Sequence, residues 1–273
     1  MGRRRLDAEL VRRSLARSRE HAQGLITEGH VRVAGSVATK AATQVDDSAA
    51  IVVDETSVDH YVSRGAHKLI GALAAFPQCS VTGRDCLDAG ASTGGFTQVL
   101  LERDAARVIA VDVGYGQLAW SVRTDPRVQV IERTNVRSLT VDVLPFQPSL
   151  VVADLSFIPL ELVLPALSSV STADCDLLLM VKPQFEVGRK VVGDGVVRDP
   201  ALRAGAVLGV AQAGIDLGMI VVGVSASPLP GPRGNVEYFC WMSRGEGRMG
   251  AQTGLTGAAL EAAIDRAVVE GPQ

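Results

Sequence analysis

The chain has 273 residues, 47% of them hydrophobic and 21% charged, enough apolar material for one large domain or a medium domain with a small companion. The formal net charge of −3 hides an asymmetry: residues 1–40 hold nine Lys/Arg against four acids, a net of +5, and the remainder nets −8, as expected of a polyanion-binding module joined to a different body. A disulfide scaffold, a cysteine metal site and a spanning helix are excluded: Cys79, Cys86, Cys175 and Cys240 form no Cys-x-x-Cys pair, and no uninterrupted apolar run reaches about 18 residues.

The cysteines sit in apolar company, as core thiols of a cytoplasmic protein do. The first arginines precede no apolar h-region, so no signal peptide is expected. Leu6, Leu10, Val11 and Leu15 recur at helical spacing, with Arg12 and Arg13 on other faces. Ser18 can cap a second helix running to Glu28, which Gly29 can end in the left-handed conformation. His30 to Val33 reads as a strand, Ala34-Gly35-Ser36 as a turn and Ala50 to Val53 as a last strand, so that two short helices and a small sheet occupy residues 1–58.

Within that unit Arg5-Leu6-Asp7, Leu10, Ala16-Arg17-Ser18-Arg19, Ala22, Ile26, Gly29 to Val33 and Gly35 resemble the αL RNA-binding module of a small-subunit ribosomal protein, pseudouridine synthases and some tRNA synthetases. The resemblance implies that Arg17, Arg19 and neighbouring bases, namely Arg4, Arg5 and Arg32, meet RNA phosphates, for which guanidinium donors are suited. Where that module usually has Asn before the turn glycine this chain has Ala34, a departure expected to weaken the turn without moving the basic face.

Residues 54–63 turn polar and acidic, and Arg64-Gly65-Ala66-His67-Lys68-Leu69 opens a new apolar-periodic segment to Phe76. Residues 59–63 therefore read as an interdomain linker and 64–273 as the second domain. Strands are expected at Asp85–Asp88, Arg107–Asp112, Val128–Glu132, Leu150–Asp154, Asp176–Lys182, Met219–Ser227 and Glu237–Met242, and helices at Thr97–Arg103, Gly116–Thr124, Leu160–Val170, Pro200–Leu217 and Thr256–Glu270. Alternating strands and helices make a doubly wound sheet, so the fold class is α/β: a Rossmann-like seven-stranded sheet behind a small α+β head.

Between the first of these strands and its helix lies Asp88-Ala89-Gly90-Ala91-Ser92-Thr93-Gly94-Gly95-Phe96. A turn without β-carbons lets a ligand approach the backbone, and the start of the next helix presents free N–H donors. The spacing is not Gly-x-Gly-x-x-Gly, and no Gly-Lys-Ser/Thr closes the turn, which leaves neither a dinucleotide fingerprint nor a Walker loop. The next strand ends in Asp112, 24 residues after Asp88, where a carboxylate can accept from both hydroxyls of a ribose. Turn and acid together favour a nucleoside cofactor without a pyrophosphate, S-adenosyl-L-methionine.

Carboxyl ends of strands in such sheets gather at one edge, so Asp88, Asp112, Asp154 and Lys182 are expected to face one crevice. Lys182 ends the apolar run Leu177 to Val181, where an unpaired ammonium is costly; Asp154 on the adjacent strand is its expected partner. The order Lys68, Asp154, Lys182, Glu237 resembles the Lys-Asp-Lys-Glu tetrad of FtsJ-type ribose 2′-O-methyltransferases. With the αL head included, Ser63 to Leu69, Asp88 to Phe96, Asp112 to Leu118, Ala153 to Ile158, Val181 to Glu186 and Gly234 to Phe239 resemble the TlyA family, known both as haemolysins and as ribosomal RNA 2′-O-methyltransferases.

That resemblance implies methyl transfer from S-adenosyl-L-methionine to ribose hydroxyls of cytidines in small- and large-subunit ribosomal RNA, with ribosomal RNA or ribosomal subunits as partners and no metal. Lys182 would take the hydroxyl proton, with burial and the charges of Lys68 and the sulfonium favouring its neutral amine and Asp154 opposing them. Asp154 would also hold the lysine and face the sulfonium, while Lys68 and Glu237 orient hydroxyl and base. Gly90, Gly94 and Phe96, with Ala91, Ser92, Thr93 and Gly95 of the same turn, would line the methionine part, Asp112 would take the ribose and Asn135 would approach the adenine. Gly188 to Asp199, with Arg189, Lys190 and Arg198, is a candidate substrate lid.

Competing chemistries lack their residues. No Asx-Pro-Pro-aromatic motif follows the fourth strand, as a base N-methyltransferase needs, and no cysteine ends a strand, as a carbon-5 enzyme needs. Two alternatives of other classes are a non-catalytic RNA-binding ribosome-assembly factor, which has no evident use for a lysine ending a buried strand, and a membrane-active haemolysin, for which no amphipathic or spanning segment is present.

Overall fold

The computed structural model describes residues 3–16, 19–27, 29–53, 60–188, 195–231, 233–245 and 254–272. The chain divides into two compact units, Met1–His60 and Tyr61–Gln273. In the smaller one, β1 (Arg4–Arg5) leads into α1 (Leu6–Arg12), which packs on α2 (Arg19–Thr27). Then β2 (Val31–Val33) takes β3 (Ser36–Val37) and β5 (Ile51–Val53) as antiparallel neighbours, while β4 (Gln44–Val45) pairs with β1. Leu6, Leu10, Ala22, Leu25, Ile26 and Val31 are buried and form the core. The apolar spacing anticipates α1, which ends at Arg12 and leaves Leu15 exposed beyond it, and the left-handed Gly29 (φ +80°) stands just past α2 as expected; the proposed Ser18 cap lies outside the described residues. Strands β1, β3 and β4 are two residues each, too short to carry an alternation pattern.

The larger unit runs α3 (Gly65–Ala75), β6 (Asp85–Ala89), α4 (Gly95–Glu102), β7 (Arg107–Val111), α5 (Trp120–Arg123), β8 (Val128–Ile131), β9 (Leu150–Ala153), α6 (Leu164–Val170), β10 (Asp176–Val181), α7 (Pro183–Glu186), a long helix Pro200–Asp216, β11 (Ile220–Ala226), β12 (Tyr238–Ser243) and a last helix Gly257–Glu270. Its seven strands form one sheet in the order β11-β12-β10-β9-β6-β7-β8. Strand β12 is antiparallel to both neighbours and the other pairs are parallel. One face packs under α3 and α4, the other under α6 and the two long helices, which is why β9 and, after Asp176, β10 are apolar runs. All four cysteines are buried thiols.

Three expectations change. Helix Gly116–Thr124 shrinks to α5 because Gly116 adopts φ +68° in a loop that precedes it. Helix Leu160–Val170 splits into a 3-10 turn, Leu160–Leu162, and α6, whose first turn contains Pro165, a residue without an N–H to continue the ladder. Residues 61–63, read as linker, belong to the larger unit: Tyr61 and Val62 pack on its core, and the Val62 N–H donates to Gln98 Oε1 at 2.9 Å.

Asp88 does not face the crevice. It alternates with Leu87 and Ala89, which puts it on the α3–α4 face with Cys86, fully buried. Its Oδ2 accepts from Thr97 Oγ1 at 2.6 Å, and Oδ1 has no partner among the described residues. Burial pushes this carboxyl up to about 7. The folded state thus holds a proton that the unfolded chain releases near the ordinary carboxylate value; this stabilising contribution is complete below that value and is lost as pH rises through about 7. Replacing Asp88 with Asn abolishes the titration, so the variant should gain on the parent by on the order of 2 kcal/mol between pH 5 and pH 8, read by denaturant unfolding at both values. An unchanged difference would mean that Asp88 does not titrate between them.

The β2–β3 hairpin turns on two residues, Ala34 (φ +48°) and Gly35 (φ +82°), between the paired Val33 and Ser36. Positive φ at both positions suits Asn-Gly, and alanine is strained in the first. Ala34→Asn is expected to raise stability by roughly 0.5–1 kcal/mol, seen as a higher denaturant midpoint; an unchanged or lower midpoint would contradict this account of the turn.

Candidate active site

The order of strands reverses between β6 and β9, the switch point at which open sheets bind ligands. Gly90, at the end of β6, has φ +87°, and a β-carbon there would lie 2.7 Å from the Asp154 carbonyl oxygen. Only glycine lets the two strand ends come this close. Outside them is a crevice of about 650 Å³ lined by Gly90, Ser92, Asp112, Asn135, Asp154 and the segment 155–159, among others.

Asp112 is fixed by two backbone donors: the Ser92 N–H reaches Oδ2 at 2.8 Å and the Gly114 N–H reaches Oδ1 at 2.6 Å. Each oxygen keeps acceptor capacity for a hydroxyl. Asn135 Oδ1 accepts from the Arg137 N–H at 3.0 Å, which fixes the orientation of the side chain and leaves both N–H groups of its amide as donors. The glycine cradle, the held acid and the amide suit a nucleoside. The rest of the turn behaves differently. Thr93 is exposed, Ala91, Gly94, Gly95 and Phe96 are buried, and none of them lines this crevice. Phe96, expected against the cofactor, turns inward from the first turn of α4 and stacks on Phe239 with ring centroids 6.3 Å apart.

The four tetrad residues assemble as two pairs, in which Lys68, Lys182 and Glu237 are buried and Asp154 is partly exposed. The last β10–β12 pair is Val181 with Tyr238, so Lys182 and Glu237 occupy the next opposed positions. Lys182 Nζ lies 2.5 Å from Asp154 Oδ1, an ion pair without the alignment of a hydrogen bond, and donates to Ser156 Oγ at 2.9 Å. Lys68, on α3, donates to Glu237 Oε2 at 2.5 Å. Breaking either pair leaves a buried charge, which costs far more than losing a surface contact.

Sequence reasoning missed three residues here. Ser156 continues the β9–β10 register, 26 residues before Lys182; it lies in the Ala153 to Ile158 stretch that carries the family resemblance, which by itself gives it no role. Phe157 is 86% exposed with φ +67°, on the crevice wall, its ring 5.1 Å from Phe185. A large aromatic is rarely left both solvated and left-handed. Glu186 accepts from the Leu160 N–H at 3.1 Å, and burial pushes its carboxyl up to about 7. Lys182, Phe185 and Glu186 thereby fasten α7 to the crevice wall at three points.

Of the proposed phosphate-binding arginines, Arg4, Arg5, Arg19 and Arg32 are described and exposed, and Arg17 lies outside the described residues. Arg4 pairs with Asp47, Arg5 and Arg19 both pair with Asp7, and Arg32 reaches the Gly35 carbonyl at 3.4 Å. Arg189 and Lys190 of the candidate lid also lie outside the described residues. Its far end is clamped by Asn235, which donates to the Gly195 carbonyl at 2.8 Å and accepts from the Val197 N–H at 2.9 Å.

Residues 61–244 match the FtsJ-like methyltransferase family and residues 4–51 the S4 domain. Over 269 residues the chain is 58% identical to the 16S/23S rRNA (cytidine-2′-O)-methyltransferase TlyA of Mycobacterium tuberculosis, covering 98% of each. It is 36% identical to hemolysin A of Brachyspira hyodysenteriae over 86% of this chain and 98% of that one. A solved Streptococcus thermophilus structure that also carries the hemolysin name is similar with a TM-score of 0.75 and 34% identity, over 99% of this chain and 97% of that one. The chain belongs to the TlyA family, FtsJ-like methyltransferases with an amino-terminal S4 domain.

Proposed function

We propose that this methyltransferase moves a methyl group from S-adenosyl-L-methionine to the 2′-hydroxyl of cytidines in small- and large-subunit ribosomal RNA, the activity that the M. tuberculosis relative's name states for that protein. The observation that carries this reading is the pairing of Lys182 with Asp154 and of Lys68 with Glu237 at adjoining strand ends. The crevice beside Asp154 supports it.

A ribose hydroxyl is a poor nucleophile until its proton is taken. The Lys182 amine is the group placed to take that proton. Asp154, 2.5 Å away, balances the ammonium that results, and Ser156 directs the amine. Glu237, braced by Lys68, orients the hydroxyl. Gly90, Ser92, Asp112 and Asn135 would hold S-adenosyl-L-methionine, which would supply an electrophilic methyl group. Phe157 offers a solvated ring on which the target base can stack.

The S4 unit contributes Arg4, Arg5, Arg19 and Arg32 to phosphate contacts. Among the described residues no helix is long and apolar enough to cross a membrane, so the haemolysin alternative finds no spanning helix there; action on ribosomal RNA in the cytoplasm is part of the proposal.

Lys182→Ala is expected to lower kcat by about 10²–10⁴-fold with cofactor affinity retained. The assay is labelled methyl transfer to isolated ribosomal subunits followed by alkaline cleavage mapping, since a 2′-O-methyl group protects its own linkage. Undiminished transfer by the variant would remove Lys182 as the base. Label without a protected linkage would mean base methylation, and no incorporation by the parent enzyme would favour a non-catalytic RNA binder.

Phe157→Ala should raise KM for the RNA by roughly 5–100-fold, the cost of one lost stacking contact, and leave the cofactor Kd unchanged. An unaltered KM would exclude the stacking role.

A further inference from the structure

Helix α1 carries two carboxylates, Asp7 and Glu9, that are wholly buried in the unit assigned to RNA. Asp7 accepts from both Nε and a terminal nitrogen of Arg5 (3.0 and 2.9 Å), from Arg19 (3.1 Å), from the Gln23 amide (3.1 Å) and from the Ala8 N–H (2.9 Å). Glu9 accepts two bonds from Arg12 (2.8 and 2.6 Å) and one from Arg13 (2.7 Å). The acids lie inside and the bases outside: the side chains of Arg5, Arg12 and Arg19 remain 44%, 48% and 58% exposed.

A guanidinium has five N–H groups in a rigid plane. Arg5 and Arg12 each spend two on their carboxylate and Arg19 spends one, so each keeps donors for a phosphate. Holding an arginine by one edge fixes its rotamer, and rotamer freedom is what a surface arginine otherwise gives up on binding. The arginines in turn hold the acids ionised: Arg5 first, then Gln23 and Arg19, draw Asp7 well below the carboxylate range, and Arg12, then Arg13, bring Glu9 to about 2.

We propose that Asp7 and Glu9 are positioning residues of the RNA-binding face, buried anions that set Arg5, Arg12 and Arg19 for phosphate before RNA arrives. This rests on the reading of the S4 unit as RNA-binding. The opposing account, in which the acids merely cancel positive charge, differs in sign. Removing an acid from a face that binds a polyanion should tighten binding if charge alone matters. It should weaken binding if the arginines must then be ordered by the RNA.

Asp47 supplies an internal control. It is 52% exposed and pairs with Arg4 while lying 3.6 Å from Arg12, so it offers the same charge without the buried anchorage.

The test is the Kd of the full chain for purified 23S ribosomal RNA across a salt series, for Asp7→Asn, Glu9→Gln and Asp47→Asn. Both buried-acid variants should bind about tenfold more weakly, the ordering cost of one or two arginines, with an unchanged slope of log Kd against log salt because the same phosphates are met. Asp47→Asn should bind as tightly as the parent or more tightly. Glu9→Gln guards against misfolding by Asp7→Asn, because Arg13 keeps its bonds to the carbonyls of Asp46, Asp47 and Ala49. Equal or tighter binding by a folded Glu9→Gln would overturn the proposal, as would a loss in Asp47→Asn equal to that of the buried pair. Joint replacement of Arg5, Arg12 and Arg19 by Ala with no loss of affinity would instead overturn the RNA-binding reading itself.

Discussion

The two ion pairs at the sheet edge depend on the register of β10 between two unlike neighbours. Its parallel pairing with β9 brings Lys182 beside Ser156, and its antiparallel pairing with β12 sets Glu237 opposite Lys182. A slip of one residue in either pairing would turn Lys182 to the other face of the sheet. Because β9 and β10 are buried on both faces, side-chain alternation alone does not specify this register. The ion pairs at the strand ends add specificity, since a slipped strand would leave Lys182 and Asp154 uncompensated.

Buried charge is handled in three ways in this chain. Lys68 and Lys182 each meet a carboxylate at 2.5 Å. Asp88 is bonded by Thr97 and by no cation, and burial raises its carboxyl instead. Asp7 and Glu9 meet several arginines and are drawn strongly towards the ionised form. The number and charge of the donors around each acid separate the three outcomes, for all of these acids except Asp154 are almost wholly withdrawn from solvent.

The two units use arginine and lysine for different ends. In the S4 unit guanidinium groups reach outward from buried acids, which suits contact with a partner of many phosphates. In the methyltransferase unit the lysines are themselves buried at strand ends, where a compact amine can be held by a carboxylate and a hydroxyl and still be directed at one atom.

By itself the sequence determined the α/β class, the seven strands and the partnership of Lys182 with Asp154, because apolar runs of strand length and a lysine closing one of them are local facts. It also determined the glycine turn and Asp112, whose spacing is that of a strand, a turn, a helix and a second strand. Tertiary structure decided which way side chains face. Alternation places Asp88 and Ala89 on opposite sides of β6, both of them buried, but only tertiary packing decides that the Asp88 side lies under α3 and α4. In the same way Phe96 points into the core and Phe157 out to solvent, although both are single aromatics in the segments that follow strands. The two-residue strands and the fan of arginines on Asp7 were equally hidden, for each is fixed by partners distant in sequence. A local pattern defines the two sides of an element, and only the elements packed against it decide which side meets water.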